Sequence, residues 1–148
     1  MESTVTSTRV AAVELTPAPQ SAGVARRFVH DQVHRWSALV DDDDVALMVS
    51  ELVTNVSRHA RTEALVRVIL RADCLRVEVT DRSREPIEVR PHALGAETGR
   101  GLRIVEALAA DWGVQDIARG KTVWFEVPAQ LSAEQQGSGT TTDGVVGA

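Results

Sequence analysis

The sequence contains a single cysteine, Cys74, and no tyrosine among its 148 residues. One cysteine cannot form an internal disulfide framework or a cysteine-based metal site, which fits a reducing cytoplasm. No apolar run approaches the roughly 20 residues of a membrane-spanning helix, and the N-terminus lacks a signal-peptide pattern. The net charge is -5 and the arginines are scattered, so a nucleic-acid footprint is not expected. We therefore expect a cytoplasmic protein with no membrane segment and no direct nucleic-acid partner.

The composition is that of one ordinary globular domain. Hydrophobic residues make up 43% and charged residues 25% of the chain, and the length is sufficient to bury a real core. The two ends are rich in small and polar residues that have little to bury. We expect disorder over residues 1–8 and 129–148 and a single folded domain over residues 9–128.

Hydrophobic periodicity predicts the element order β-α-α-β-β-loop-α-β-β. A short turn at residues 72–73 joins two strands as an antiparallel hairpin, and Ser21 is a candidate cap for the first helix. This order predicts an α+β two-layer sandwich, with helices on one face of a mixed, mainly antiparallel sheet. The other sheet face is expected to be solvated or to cover a partner. The predicted strands are residues 9–15, 64–70, 74–80, 112–117 and 121–127, and the predicted helices are residues 22–36, 44–61 and 99–109.

The second predicted helix is apolar on more than one face but carries a polar stripe. Glu51, Asn55 and His59 are four residues apart, which stacks them along one side of a helix, and Arg58 lies beside them. A carboxylate and an amide among aliphatic residues are costly to bury without partners. The stripe therefore has either internal hydrogen-bond partners or a ligand, and an isolated stripe of this kind more often has internal partners.

Other polar groups have simple structural interpretations. The four aspartates at residues 41–44 are expected to cap the second helix and complement its dipole. Consecutive carboxylates do not converge on an ion, so a metal role for them is disfavoured. The histidines at 30, 34 and 92 have no partners at ligand spacing and are interpreted as surface or packed residues. The tryptophans at 36, 112 and 124 are predicted to anchor the core.

Three further polar sites fall at the ends of predicted elements. Asp81 ends a strand and begins a loop of about 18 residues, a length that is more often functional than accidental. Gly99 and Gly101 open a helix, where exposed backbone N–H groups favour phosphate. Thr122 follows a glycine and a lysine at the start of the last strand. Each signal alone also fits a turn, a flexible helix entry or a hairpin.

The four sites together, in this order, resemble the nucleotide-binding boxes of the GHKL ATPase superfamily, and in particular its anti-sigma-factor serine kinases of the RsbW and SpoIIAB type. The similarity covers roughly residues 9–127 and implies a Bergerat nucleotide-binding fold. The boxes are Glu51-Leu-Val-Thr-Asn55-Val-Ser-Arg58-His59-Ala, Val79-Thr-Asp81-Arg-Ser83, Gly99-Arg100-Gly101-Leu102-Arg-Ile-Val105 and Gly120-Lys-Thr122-Val-Trp-Phe.

The resemblance implies a role for each residue of the first box. Glu51 would be the base that activates an attacking hydroxyl group. Asn55 would coordinate the Mg²⁺ that bridges the phosphates of ATP. Arg58 or His59 would contact the phosphates. Such roles suit phosphoryl transfer, which depends mainly on positioning and charge neutralisation.

The resemblance also assigns the other boxes to ATP. Asp81 would accept a hydrogen bond from the adenine amino group, and Thr122 would support the same edge of the pocket. Gly99 and Gly101, with Arg100 and Leu102 in the same box, would flank the lid and contact phosphate. Ser83 occupies a position where the family usually has glycine, so we expect that part of the adenine loop to follow a different path.

These implications predict an ATP- and Mg²⁺-dependent protein serine/threonine kinase that would phosphorylate a serine on a STAS-type anti-anti-sigma partner and sequester a sigma factor. A homodimer is expected from the resemblance. The histidine-kinase relatives carry a dimerisation helix pair, which we do not expect here. Two alternatives remain: a non-catalytic ATP-binding partner switch that regulates transcription by protein binding, and a structural domain without nucleotide.

Overall fold

The computed structural model describes the backbone of residues 8–82 and 96–131 and the side chains of residues 8–82 and 101–131. The described elements alternate as the hydrophobic periodicity predicts. In chain order they are β1 (Arg9–Leu15), α1 (Ser21–Arg35), β2 (Ala38–Leu39), α2 (Asp42–Asn55), a π-helical turn (Val56–Ala60), β3 (Ala64–Leu70), β4 (Cys74–Asp81), α3 (Ala96–Leu108), β5 (Asp111–Ile117), β6 (Gly120–Pro128) and β7 (Gln130–Leu131).

Five strands form the main sheet in the order β1-β3-β4-β6-β5. Each of its four neighbouring pairs is antiparallel, so within the described strands the sheet is antiparallel throughout rather than mixed. The predicted α+β two-layer sandwich is confirmed. The centre of the sheet is β4, which joins the β1-β3 half to the β5-β6 half.

The core lies between one face of this sheet and the helices. The apolar side of β4 consists of Leu75, Val77 and Val79, all at most 2% exposed. Phe125 of the neighbouring strand and Met48 of α2 are fully buried against them in the same cluster. Full burial of a large apolar side chain contributes about 1.5–3 kcal/mol, so alternating residues on the central strands fix which sheet face meets the helices.

The opposite face of the sheet is polar and carries a network of ion pairs. Arg76 lies 2.9 Å from Glu78 and 3.1 Å from Glu126, and its guanidinium group stacks 4.1 Å from the ring centre of Trp124. Burial lowers the pKa of Arg76, but hydrogen bonds to both carboxylates outweigh this effect and raise it overall. Trp124 is therefore on the polar face, and its prediction as a core anchor is wrong. Trp36 does lie in the core.

The helix starts differ from the predicted ones. Ser21 is the first residue of α1 and not its cap, because its hydroxyl donates to the carbonyl of Thr16 at 2.6 Å. The capping interpretation of the aspartates is confirmed at α2, where the Asp41 carboxylate accepts from the N–H of Asp44 at 3.1 Å. That helix consequently begins at Asp42, two residues before the predicted start.

The sequence did not predict a second, two-stranded sheet. The short strand β7 pairs with β2, which lies between the two long helices. Ala129, just before β7, is 4% exposed and donates its N–H to the carbonyl of Asp73 at 3.0 Å. The described structure thus includes residues 129–131, past the predicted domain boundary at 128. The rest of the predicted tail, and residues 1–7, lie outside the described residues.

Candidate functional site

The polar stripe of α2 ends at a change of helix type. Glu51 and Asn55 are half-buried one α-helical turn apart. A π-helical turn follows directly and closes with a hydrogen bond from the N–H of Arg61, which has φ 54°, to the carbonyl of Val56 at 2.8 Å. The π turn has more residues per turn than an α-helix, which breaks the four-residue spacing of the polar stripe. The exposed Arg58 and His59 therefore do not continue the stripe in α-helical register. Single π turns inside helices are frequent at functional sites.

The amide of Asn55 lies against α3. A Cβ atom placed on Gly101 would be 2.5 Å from Asn55 Nδ2, closer than real atoms approach. A side chain at residue 101 would therefore require the Asn55 amide or α3 to move. The contact joins two boxes that are far apart in the sequence, and buried Val105 one turn later packs the same helix into the core.

The glycines do not open α3, which begins at Ala96. Gly99 is its fourth residue and still belongs to the turn whose N–H groups lack intrahelical partners. Gly101 lies further inside, so its contribution is the space that it leaves at Asn55. Leu102 packs against the core. Gly99 and the backbone of Arg100 belong to the helix, whereas the Arg100 side chain and the whole of Ser83 lie outside the described residues.

Asp81 is a carboxylate buried at the end of the central strand. It continues the alternation of the core face, is 1% exposed, and pairs in register with Lys121 of β6. The Lys121 ammonium lies 3.7 Å from Asp81 Oδ2. Lys121 was not predicted as a site residue. The registers of the two hairpins would place it opposite Asp81, but a single sequence does not fix how those hairpins align.

Gly120 allows β6 to pass close to the end of β4. It has φ +143°, and a Cβ atom there would be 1.9 Å from the carbonyl oxygen of Asp81. A residue with a side chain would have to displace the backbone beside the buried carboxylate. The glycine before Lys121 thus has a steric function that an ordinary hairpin turn does not require.

Thr122 faces away from Asp81. It pairs in register with Thr80, and the two hydroxyl groups are 2.7 Å apart. Because successive strand residues point to opposite faces, this pair lies on the polar face of the sheet, whereas Asp81 lies on the helix face. On the helix face, the β6 residue beside Asp81 is Lys121 rather than Thr122. The role of Thr122 at the pocket edge stays a prediction.

The end of β4 and the end of α2 meet at one edge of the molecule. Asp81 pairs with Ala64, the first residue of β3, which follows shortly after the π turn. The N–H of Arg82 donates to the Thr62 hydroxyl at 3.1 Å, connecting the same two segments. The structure therefore brings Asn55, with Gly101 against it, and the Asp81 region to a common edge.

A carboxylate pair lies beside this edge. A hydrogen bond with Glu14 is the main cause that raises the pKa of Glu63, with the charge of Glu14 adding to it. Arg82 acts in the opposite direction and lies 3.1 Å from Glu14.

Two histidines have close polar partners that the sequence did not reveal. His30 Nδ1 and His34 Nε2 lie 4.0 Å and 3.8 Å from the same Asp42 carboxylate oxygen. The prediction that they have no partners at ligand spacing is wrong. His92 lies outside the described residues.

Comparisons with known proteins show the family of this chain. A family model described as "Histidine kinase-like ATPase domain" matches residues 9–127. The chain belongs to this family. Its ATPase domain includes all four sequence boxes, and the predicted resemblance is confirmed at the level of the superfamily.

A solved structure with a TM-score above 0.5 shows the same fold. The structure of the RsbU and RsbW domains of Rv1364c from Mycobacterium tuberculosis is similar to this ATPase domain with a TM-score of 0.59 and 18% identity, covering 82% of this chain. The alignment covers only 34% of that longer chain. The histidine kinase domain of a blue-light activated histidine kinase from Erythrobacter litoralis matches with a TM-score of 0.43 and 26% identity, over 59% of this chain and 44% of that one. No curated protein gives a significant match. None of the helices among residues 8–82 and 96–131 is long and apolar enough to span a bilayer.

Proposed function

We propose that this histidine kinase-like ATPase domain binds ATP together with Mg²⁺ at the edge formed by α2, α3 and the end of β4. The single observation that carries the proposal is the close contact of Gly101 with the Asn55 amide, which a Cβ atom at residue 101 would disturb. A half-buried amide beside a glycine of α3 suits a ligand that needs an oxygen donor and close backbone approach.

The residues of this edge supply the chemistry that a nucleotide requires. The Asn55 amide oxygen is a hard donor of the kind that Mg²⁺ accepts. The buried Asp81 carboxylate would accept a hydrogen bond from the adenine amino group, with Lys121 alongside it. Arg58 and His59 are exposed on the π turn and would contact the phosphates. Bound Mg²⁺ would neutralise phosphate charge.

We further propose that the domain is a protein serine/threonine kinase of the anti-sigma type. Glu51 is held on α2 one turn before Asn55, where a packed helix fixes its position. It would take the proton from a substrate serine hydroxyl as that oxygen bonds to the transferred phosphorus, with ADP as the leaving group. The substrate would be a STAS-type anti-anti-sigma protein, and the kinase that is not bound to this partner would sequester a sigma factor.

Thermal unfolding with Mg-ATP tests nucleotide binding, because a ligand that binds only the native state raises its stability. We expect millimolar Mg-ATP to raise Tm by several degrees, and Asn55→Ala to remove most of the increase. The magnesium dependence is checked with EDTA. An unchanged Tm in the wild type would contradict the nucleotide proposal and favour a structural domain.

Phosphotransfer is tested separately by mixing the protein with Mg-ATP and candidate STAS proteins and measuring phosphoserine by mass spectrometry. Transfer to one STAS protein is the expected result. Nucleotide binding without transfer to any of them would favour the non-catalytic partner switch.

Light scattering of the protein at several concentrations tests the proposed homodimer, and fractionation of cells tests the proposed cytoplasmic location.

A further inference from the structure

The junction between α1 and the start of α2 brings together three side chains that bind metals. His30 and His34 lie one turn apart on α1, and their ring centres are 4.2 Å apart. Asp42, the first residue of α2, faces both rings through one carboxylate oxygen. One ligand atom from each residue lies within 4.8 Å of the other two. We propose that these three residues form a binding site for a divalent transition-metal cation such as Zn²⁺.

The distances are close to those of a coordination shell. Zinc binds imidazole nitrogen and carboxylate oxygen at about 2.0–2.2 Å, which places neighbouring tetrahedral ligands about 3.4 Å apart. The two nitrogen-to-oxygen distances, 4.0 Å and 3.8 Å, exceed this by roughly half an ångström. The side chains of His30, His34 and Asp42 are 55%, 63% and 41% exposed. Small side-chain rotations are therefore enough to close the shell around an ion.

The surrounding charges favour a cation over an anion at this junction. Asp41, Asp42 and Asp43 are consecutive, and only the Asp41 carboxylate is used to cap the helix among the described contacts. A helix N-terminus by itself disfavours a cation. The cluster of carboxylates opposes that effect and leaves Asp42 directed at the histidines.

The donor set determines which cations bind. Two imidazole nitrogens with one carboxylate suit Zn²⁺, Ni²⁺ and Cu²⁺, whereas Mg²⁺ and Ca²⁺ require mainly oxygen. This site is thus chemically distinct from the magnesium site proposed at Asn55. Its existence also does not depend on nucleotide binding.

Three protein ligands leave one position of a tetrahedral ion open. An open groove of about 800 Å³ adjoins the site, and His34 and Asp42 both line it. Water would fill the open position in the isolated protein. A bound ion would link the last turns of α1 to the first turn of α2 and so tie together the two helices that cover the sheet.

The test is calorimetric titration of Zn²⁺ into metal-stripped, tag-free protein without nucleotide. We expect one binding site with a Kd on the order of micromolar and a Tm that rises by a few degrees at saturation. His30→Ala, His34→Ala and Asp42→Asn should each weaken binding by at least about tenfold. Mg²⁺ and Ca²⁺ should not compete. Circular dichroism verifies that each variant is folded. We expect all three to fold, because the substituted side chains are largely exposed.

Asp43→Asn is the matched control, because it removes the same charge from the same helical turn without removing a ligand. Cys74→Ser controls for binding at the single thiol. Both controls should retain wild-type zinc affinity. The site is ruled out if Zn²⁺ fails to bind, if neither histidine substitution weakens binding, or if Asp43→Asn weakens it as much as Asp42→Asn. Loss of ATP binding with intact zinc binding would refute only the proposed nucleotide function.

Discussion

Gly101 lies so close to Asn55 that a Cβ atom at residue 101 would be 2.5 Å from the Asn55 side-chain nitrogen. We predict that Gly101→Ala weakens Mg-ATP binding by at least about tenfold. A tenfold change corresponds to a loss of only about 1.4 kcal/mol of binding free energy. The alanine methyl group would have to displace the amide or move α3 away from α2. Calorimetric titration of Mg-ATP measures the loss.

Gly23→Ala is a suitable control for this substitution. Gly23 lies in α1, and the nearest atom to a methyl group added at this position is the flexible tip of Arg26 at 3.5 Å. Replacing helical glycine by alanine normally stabilises by about 0.5–1 kcal/mol. We expect Gly23→Ala to retain ATP affinity. Wild-type affinity in Gly101→Ala would show that the space at Asn55 has no role in binding.

The buried carboxylate of Asp81 provides a second prediction, which concerns base specificity. If Asp81 accepts a hydrogen bond from the adenine amino group, the wild type should bind ATP more tightly than purine riboside triphosphate, which lacks that group. Asp81→Asn should bind ATP at least about tenfold more weakly and should lose most of this discrimination, because a site built for a donor rejects an analogue without it. Competition titrations measure both quantities.

Asp73→Asn is the matched control for Asp81→Asn, since it removes an exposed carboxylate from the turn before β4. Its nucleotide preference should be that of the wild type. Equal discrimination in Asp81→Asn and the wild type would place adenine recognition elsewhere.

Glu51 allows binding and transfer to be separated. We predict that Glu51→Gln, and likewise Glu51→Ala, retains Mg-ATP affinity within about threefold but lowers phosphotransfer by about 10²–10⁴, the usual contribution of a general base. The exposed Glu106 of α3 provides the control Glu106→Gln, which should transfer phosphate at the wild-type rate. Parallel loss of affinity and transfer in Glu51→Gln would indicate a structural function for this carboxylate.

Gly120 provides a prediction about stability. Alanine at φ +143° is strained, and its methyl group would overlap the Asp81 carbonyl oxygen. We expect Gly120→Ala to lower the free energy of unfolding by about 2 kcal/mol or more, as measured by urea denaturation. A decrease of less than about 0.5 kcal/mol, the usual range for surface substitutions, would disagree with the close approach of β6 to β4.

The remaining prediction concerns the thiol. Burial is the main cause that raises the pKa of Cys74, and the charge of Glu126 adds to it. The native protein therefore holds the thiol proton more tightly than the unfolded chain, whose thiol ionises near the ordinary pKa of 9.0. Stability should fall as the pH rises above 9.0, and alkylation of native Cys74 should be slow at neutral pH. Alkylation as fast as in the urea-unfolded protein would contradict this, with Cys74→Ser as the blank.

Most of the fold followed from local patterns in the sequence. The alternation in β4 identified its buried face because apolar side chains at every second residue must share one side of a strand. The short turn before it fixed an antiparallel hairpin. The prediction of the sheet as mixed was less accurate, since no local signal reports which distant hairpins become neighbours.

The errors at the candidate site arise from long-range register and from non-α geometry. The sheet face on which Thr122 lies could not be predicted, because it depends on the pairing of Thr122 with Thr80 of β4, a residue distant in the sequence. The π turn after Asn55 has no clear sequence signal, and it breaks the stripe before His59. The histidine pair was visible as a four-residue spacing, but its convergence with Asp42 depends on how α1 packs against α2.

The small β2-β7 sheet also affects how the protein folds during synthesis. β2 emerges from the ribosome early, between the two long helices, but its partner residues are 130–131. β4 likewise has to wait for β6 before its second edge is paired. A nascent chain that ends before β6 exposes the edge of its central strand, and such unpaired edges promote aggregation. Both sheets are thus complete, and their edges protected from misassembly, only after residue 131 has been synthesised.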